Sequence, residues 1–140
     1  MKLQTLAAAA CVALLLTAPL QGDAQQSAIK QLKPQEIYIK PFPAFRMVGN
    51  LYYVGTYDLA VYLITTPQGH ILVNTGVNDS TAPIKASIES LGLKFSDIKL
   101  LVATHGHWDH VGAMAEIKRL TGARMLMHEA DADLLESGGS

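Results

Sequence analysis

The spacing of apolar positions changes character partway along the chain. From Arg46 to Val54 two short apolar runs flank Gly49-Asn50, a turn pair that predicts a hairpin. Leu59 to Thr65 reads as a further strand. Pro67-Gln68-Gly69 turns the chain, and His70 to Thr75 returns it. The result is a meander of about four strands, each of ordinary length. Beyond it the period lengthens. Ile84, Ile88 and Leu91 recur at helical spacing, Asn78-Asp79-Ser80-Thr81 offers N-terminal caps, Pro83 sits in the first turn, and Gly92 marks the end.

The second stretch reads strand, loop, helix, strand, helix. Leu100 to Ala103 is the first strand and residues 104–109 the loop. Val111, Met114, Ile117 and Leu120 then give a helix an apolar face, and Gly122 ends it. Arg124 to Met127 is the next strand and Ala130 to Glu136 the last helix. Met114, Met125 and Met127 read as core filler. Alternating strand and helix predicts parallel pairing with right-handed crossovers, hence an α/β fold. Open sheets of this kind bind ligands beyond the carboxyl ends of their strands, which is where the 104–109 loop falls.

That loop carries the chemistry. Thr104-His105-Gly106-His107-Trp108-Asp109-His110-Val111-Gly112 holds three of the chain's 5 histidines. Imidazole nitrogen and carboxylate oxygen are both ligands that Zn²⁺ accepts. His105 and His107 are two apart, so on an extended loop their side chains point the same way. Asp109 and His110 follow where a helix begins and approach from a second direction. Two adjacent ions suit this better than one.

These residues resemble the metal motif of the metallo-β-lactamase superfamily. The resemblance runs through nearly all of the chain after residue 40. It takes in Gly55 to Ile64, the strand-turn-strand that ends at Asn74-Thr75-Gly76, and the stretch from Ile84 to Gly139. Within the superfamily the text is most similar to class B β-lactamases of the third subclass. His110 argues against the first subclass and His105 against the second. The motif alone is equally similar to that of glyoxalases, lactonases, sulfatases and RNA-processing nucleases.

The resemblance implies an αββα sandwich of which this chain is the N-terminal half. It also implies that His105 and His107 serve one zinc while Asp109 and His110 serve a second, with a later histidine completing each set. The implied reaction is hydrolysis of the β-lactam amide by zinc-activated water, with Asp109 orienting the nucleophile. Asn74 departs from the pattern, since the superfamily often has Asp there, bracing the metal loop from behind. Asn can still hydrogen-bond but carries no charge; it also reads simply as a turn residue. Trp108 is expected to pack on the core, His70 to be solvated beside its turn, and His128 to take no part in metal binding. Tyr57 and Asp58 are candidates for the pocket edge.

The N-terminus bears on location. Lys2 precedes an unbroken apolar run from Leu6 to Leu16, and Gly22-Asp23-Ala24 offers small residues for cleavage. A membrane helix needs about 20 apolar residues, more than this run supplies. Residues 1–24 are therefore expected to be an export signal, 25–43 a proline-bearing arm anchored by Phe42 and Phe45, and 44–140 a partial catalytic domain. Cys11 follows three alanines, as in a lipoprotein, but the apolar run continues past it, so no membrane anchor is expected. Taking 24 from the 140 residues leaves 116, enough to bury a core. This part holds no cysteine, so neither a disulfide nor a thiolate ligand is available. Its ten basic and eleven acidic residues give no basic patch for nucleic acid.

The reading is thus a periplasmic or secreted zinc β-lactamase acting on a small-molecule substrate. Its rivals are an exported hydrolase of lactones or other esters and a catalytically silent metal-binding module. Export has a direct consequence: the mature N-terminus lies near Gln25. N-terminal sequencing of the exported protein checks this, and an intact Met1 in the soluble fraction refutes it.

Overall fold

A computed structural model describes residues 34–136. The expected export signal, Cys11, the first part of the arm and the last four residues lie outside that range. The elements in chain order are α1 (Pro34–Ile39), β1 (Phe45–Val48), β2 (Leu51–Tyr53), β3 (Tyr62–Ile64), β4 (His70–Val73), α2 (Thr81–Ser90), β5 (Ile98–Val102), α3 (Trp108–Val111), α4 (Met114–Thr121), β6 (Arg124–Leu126) and α5 (Glu129–Glu136). The strands form a 6-stranded sheet in sequence order. β1 to β4 pair antiparallel, and β4–β5 and β5–β6 pair parallel. The meander and the parallel half are both as the apolar spacing implied. Among the described residues no helix is long and apolar enough to cross a membrane.

Register explains the core. Tyr52 pairs with Leu63, Leu63 with Leu72, Leu72 with Leu101, and Leu101 with Met125. This row crosses five strands, and partners across a sheet share a face. Leu63, Leu72 and Leu101 are fully buried, in one cluster with Ile84 and Ile88 of α2 and Met114 and Ile117 of α4. Met125 and Met127 pack against that cluster.

Several local expectations change. Asn78 to Ser80 form a 3₁₀ turn that runs straight into α2, and no side chain caps the helix. Ser80 lies at φ −81°, ψ −11°, a helical setting rather than the extended one a capping side chain needs. His70 is buried, with Nδ1 unpartnered, because β4 turns residues 70 and 72 inward. Strand alternation thus outweighs the neighbouring turn. Leu120 is 49% exposed and lies off the apolar stripe of α4.

The described part of the arm is anchored as expected, though its start is helical. Pro41 bridges Thr56, and the Tyr57 amide donates to the Lys40 carbonyl at 3.1 Å. The Phe42 ring meets Phe45, Tyr53 and Tyr57 edge-on, with centroids 6.3, 5.6 and 5.1 Å away. Lys40 Nζ lies 4.5 Å above the Tyr57 ring. Tyr57 therefore secures the arm, whatever else it borders.

Two leucines test this account of the core. Leu101→Ala should cost about 2–5 kcal/mol, and Leu120→Ala within about 0.5 kcal/mol. Denaturant unfolding measures both, and equal losses would contradict the assignment of faces.

Candidate metal centre

β5 releases the chain into residues 103–107 between the carboxyl ends of β4 and β6. Ala103 N still donates to Leu126 O at 3.1 Å. From there the loop is held by one tripeptide, Asn74-Thr75-Gly76. Asn74 N donates to Val102 O at 2.8 Å. Its Oδ1 accepts from both the amide and the hydroxyl of Thr104, each at 3.0 Å. Thr75 N and Oγ1 both donate to His110 O, at 2.7 and 3.1 Å. Gly112 N donates to Gly76 O at 2.9 Å. One turn thus fixes both ends of the histidine loop.

The residue types follow from this geometry. Asn74 sits at φ 61°, a left-handed setting that Asn tolerates better than most side chains. It is a turn residue and a brace at once. At Gly112 a Cβ would lie 2.6 Å from Asn78 N and 2.7 Å from both Trp108 O and Val77 C. Those are backbone atoms and cannot step aside, so only glycine lets α3 seat against the 77–78 turn.

The loop gathers its donors closely. The His105 ring centroid lies 3.9 Å from that of His110 and 4.5 Å from that of His107. Asp109 Oδ2 is 3.7 Å from His110 Nε2. Thr104 Oγ1 lies 3.2 Å from His105 Nδ1 and 3.3 Å from His110 Nδ1. Proton bookkeeping then fixes the roles. Asn74 Oδ1 only accepts, so the Thr104 hydroxyl spends its one proton there. Toward the histidines it accepts, which places the imidazole protons on Nδ1 and leaves Nε2 of His105 and His110 as lone-pair donors.

Burial lowers the His110 pKa; His105 and His107 push the same way, and Asp109 opposes them. A neutral ring is the form that binds metal. The donor set therefore fits Zn²⁺ in kind. Among the described residues no three His, Cys, Asp or Glu side chains are arranged to hold an ion between them.

Other expectations resolve as follows. Trp108 is 61% exposed. It meets the Tyr38 ring of α1 edge-on at 5.7 Å rather than entering the core. α3 is one turn long and lodges through Val111 and Gly112, which leaves Trp108 at the rim. His128 Nδ1 accepts from Ala130 N at 3.1 Å and so begins α5. Thr104, Thr75, Gly112 and Tyr38 had no assigned role in the sequence. Thr104 alone left a trace there, as a hydroxyl adjacent to the first histidine.

Comparison with known proteins places this geometry. The profile described as the metallo-beta-lactamase superfamily matches residues 56–139, more than half of the chain. A beta-lactamase from Chitinophaga pinensis superposes with a TM-score of 0.74 at 54% identity, over 79% of this chain and 42% of that one. A class B3 di-zinc metallo-beta-lactamase from an Alaskan soil metagenome gives a TM-score of 0.74 at 52% identity, over 78% and 41%. Among curated relatives, a metal-dependent hydrolase of Anaeromyxobacter sp. (strain K) is 32% identical over 52% of this chain and 26% of its own length. A hydroxyacylglutathione hydrolase of Rhodopseudomonas palustris (strain BisB5) is 34% identical over 54% and 28%. The matches thus span about a quarter of these curated relatives and under half of the solved chains.

If Thr104 sets the two imidazoles, Thr104→Val should lower Zn²⁺ affinity about 10- to 100-fold. Competition with a chromophoric chelator measures it, alongside far-UV circular dichroism. Unchanged affinity in a folded variant would remove Thr104 from the centre.

Proposed function

This chain belongs to the metallo-beta-lactamase superfamily, and we propose that it supplies the first zinc ligands of an exported β-lactam hydrolase. The carrying observation is the packing of His105, His107 and His110 beside Asp109 on the loop after β5. That loop stands on a scaffold 47–54% identical to several solved β-lactamases of this family.

His105 and His107 would hold one ion, and Asp109 and His110 the other. Catalytic zinc usually takes about three protein ligands and leaves one position for solvent. One further donor to each ion would therefore come from the length of the relatives that this chain does not span. Bound there, zinc would lower the pKa of water to about 7 and polarise the lactam carbonyl.

The chain's own residues do the rest. Asp109 is a carboxylate that only accepts hydrogen bonds when ionised, so it would orient the attacking water and take its proton. Thr104 and Asn74 hold the His105 and His110 rings in the metal-binding tautomer. No serine nucleophile is required.

These two curated relatives are named a metal-dependent hydrolase and a hydroxyacylglutathione hydrolase rather than β-lactamases, which supports a second reading, another superfamily hydrolase such as one acting on lactones or other esters. Ampicillin and homoserine lactone hydrolysis by the whole protein would separate the two. The export signal favours an extracellular or periplasmic substrate in either case.

In the whole protein, nitrocefin turnover should vanish with chelator and return with zinc. Asp109→Asn should lose most activity with the fold retained. Residues 25–140 alone should bind Zn²⁺ weakly and turn over no nitrocefin. Robust turnover by that segment, or chelator-resistant turnover by the whole protein, would overturn the proposal.

A further inference from the structure

Beside the metal loop, and lined by none of its four donors, lies a cavity of about 320 Å³. Its walls come from α1 (Glu36, Tyr38, Ile39), the turn after β4 (Val77, Asn78, Asp79) and Trp108. The volume is at the lower end of small-molecule sites. No basic side chain lines it.

The lining is selective in kind. Tyr38 and Trp108 meet edge-on at 5.7 Å and 73°, so they form a corner rather than a stack. Trp108 is largely exposed even though it is the only tryptophan of the chain. Val77 and Ile39 add apolar surface. Glu36 and Asp79 bring carboxylates from two separate segments to the same cavity.

Aromatic faces attract cations through the ring quadrupole, and Trp does so most strongly. Two carboxylates on the same walls add to that attraction and repel anions. A neutral apolar ligand would gain from the rings but not from the acids. An alkylammonium group uses both.

We propose that this cavity is a binding site for organic cations of the alkylammonium class. Trp108 joins His107 to Asp109 in sequence, so a ligand seated there contacts the segment that carries the metal donors. Asp79 follows Asn78, whose amide nitrogen lies against Gly112, so the far wall belongs to the same clamp.

Trp108 in the cavity wall makes the site directly readable. In the chelator-treated whole protein, choline should cause a saturable emission change that Trp108→Phe removes. Its neutral isostere, 3,3-dimethylbutan-1-ol, should bind at least about tenfold more weakly. Glu36→Gln with Asp79→Asn should weaken choline about tenfold and leave the alcohol unchanged. Both positions are exposed, so circular dichroism should show an unaltered fold. Tyr38→Ala should weaken choline by removing one aromatic wall. No saturable response to choline would overturn the proposal. So would equal affinity for choline and the alcohol, or wild-type choline binding by the double variant.

Discussion

Everything at this site depends on hydrogen bonds between Asn74-Thr75-Gly76 and the two ends of the histidine loop. A loop at a sheet edge has no ladder partners, and its backbone groups would otherwise be satisfied by water. Here Thr104 is fixed by a side chain and His110 by a backbone amide and a hydroxyl. Gly112 adds a third bond. The parallel pairing of β4 and β5 makes this possible, because both strands deliver their carboxyl ends to one edge. These contacts fix the two ends of the loop that carries the candidate donors.

The clamp also unites parts that look independent. The Gly112 seat presses α3 against the turn after β4. That turn becomes the 3₁₀ segment leading into α2, and α2 buries Ile84 and Ile88 under the sheet. A shift in the core is therefore felt at the loop through α2 and the 77–78 turn. On the other side α1 meets the loop through Tyr38 and Trp108, a contact between partly exposed rings. The core side is held by backbone bonds and close packing, and the arm side includes an aromatic edge contact.

The sheet was legible in the sequence because each strand announced itself by turn residues and apolar runs. Gly49-Asn50 and Pro67-Gln68-Gly69 fell where the chain reverses. The candidate donors stand out because four ligand-type residues in six positions have few other uses. His70 misled, since its adjacency to a turn suggested solvent while its parity with Leu72 decided burial. Trp108 misled for the opposite reason. A large aromatic is usually core, but a one-turn helix offers the core only a narrow contact, and Val111 takes it. Thr104 and Gly112 were out of reach, because their roles depend on partners far away in sequence, the Asn74 side chain for Thr104 and the backbone of Val77 and Asn78 for Gly112.

Asn74 shows how a substitution can keep geometry and change energetics. The superfamily often has Asp at this place, and an ionised carboxylate would accept from Thr104 as the amide does. The side chain is only 4% exposed. A buried charge is costly unless it is paired or a cation lies near. The neutral amide avoids that cost and retains both acceptor contacts. What it forgoes is the attraction of a buried negative charge for nearby zinc, which low local dielectric would enlarge. Asn74 thus gives a loop that is held in place without metal, at the expense of some pull on the metal itself. In this chain the hydrogen bonds to Asn74-Thr75-Gly76 set the loop's position, and through Thr104 they also reach the His105 and His110 rings.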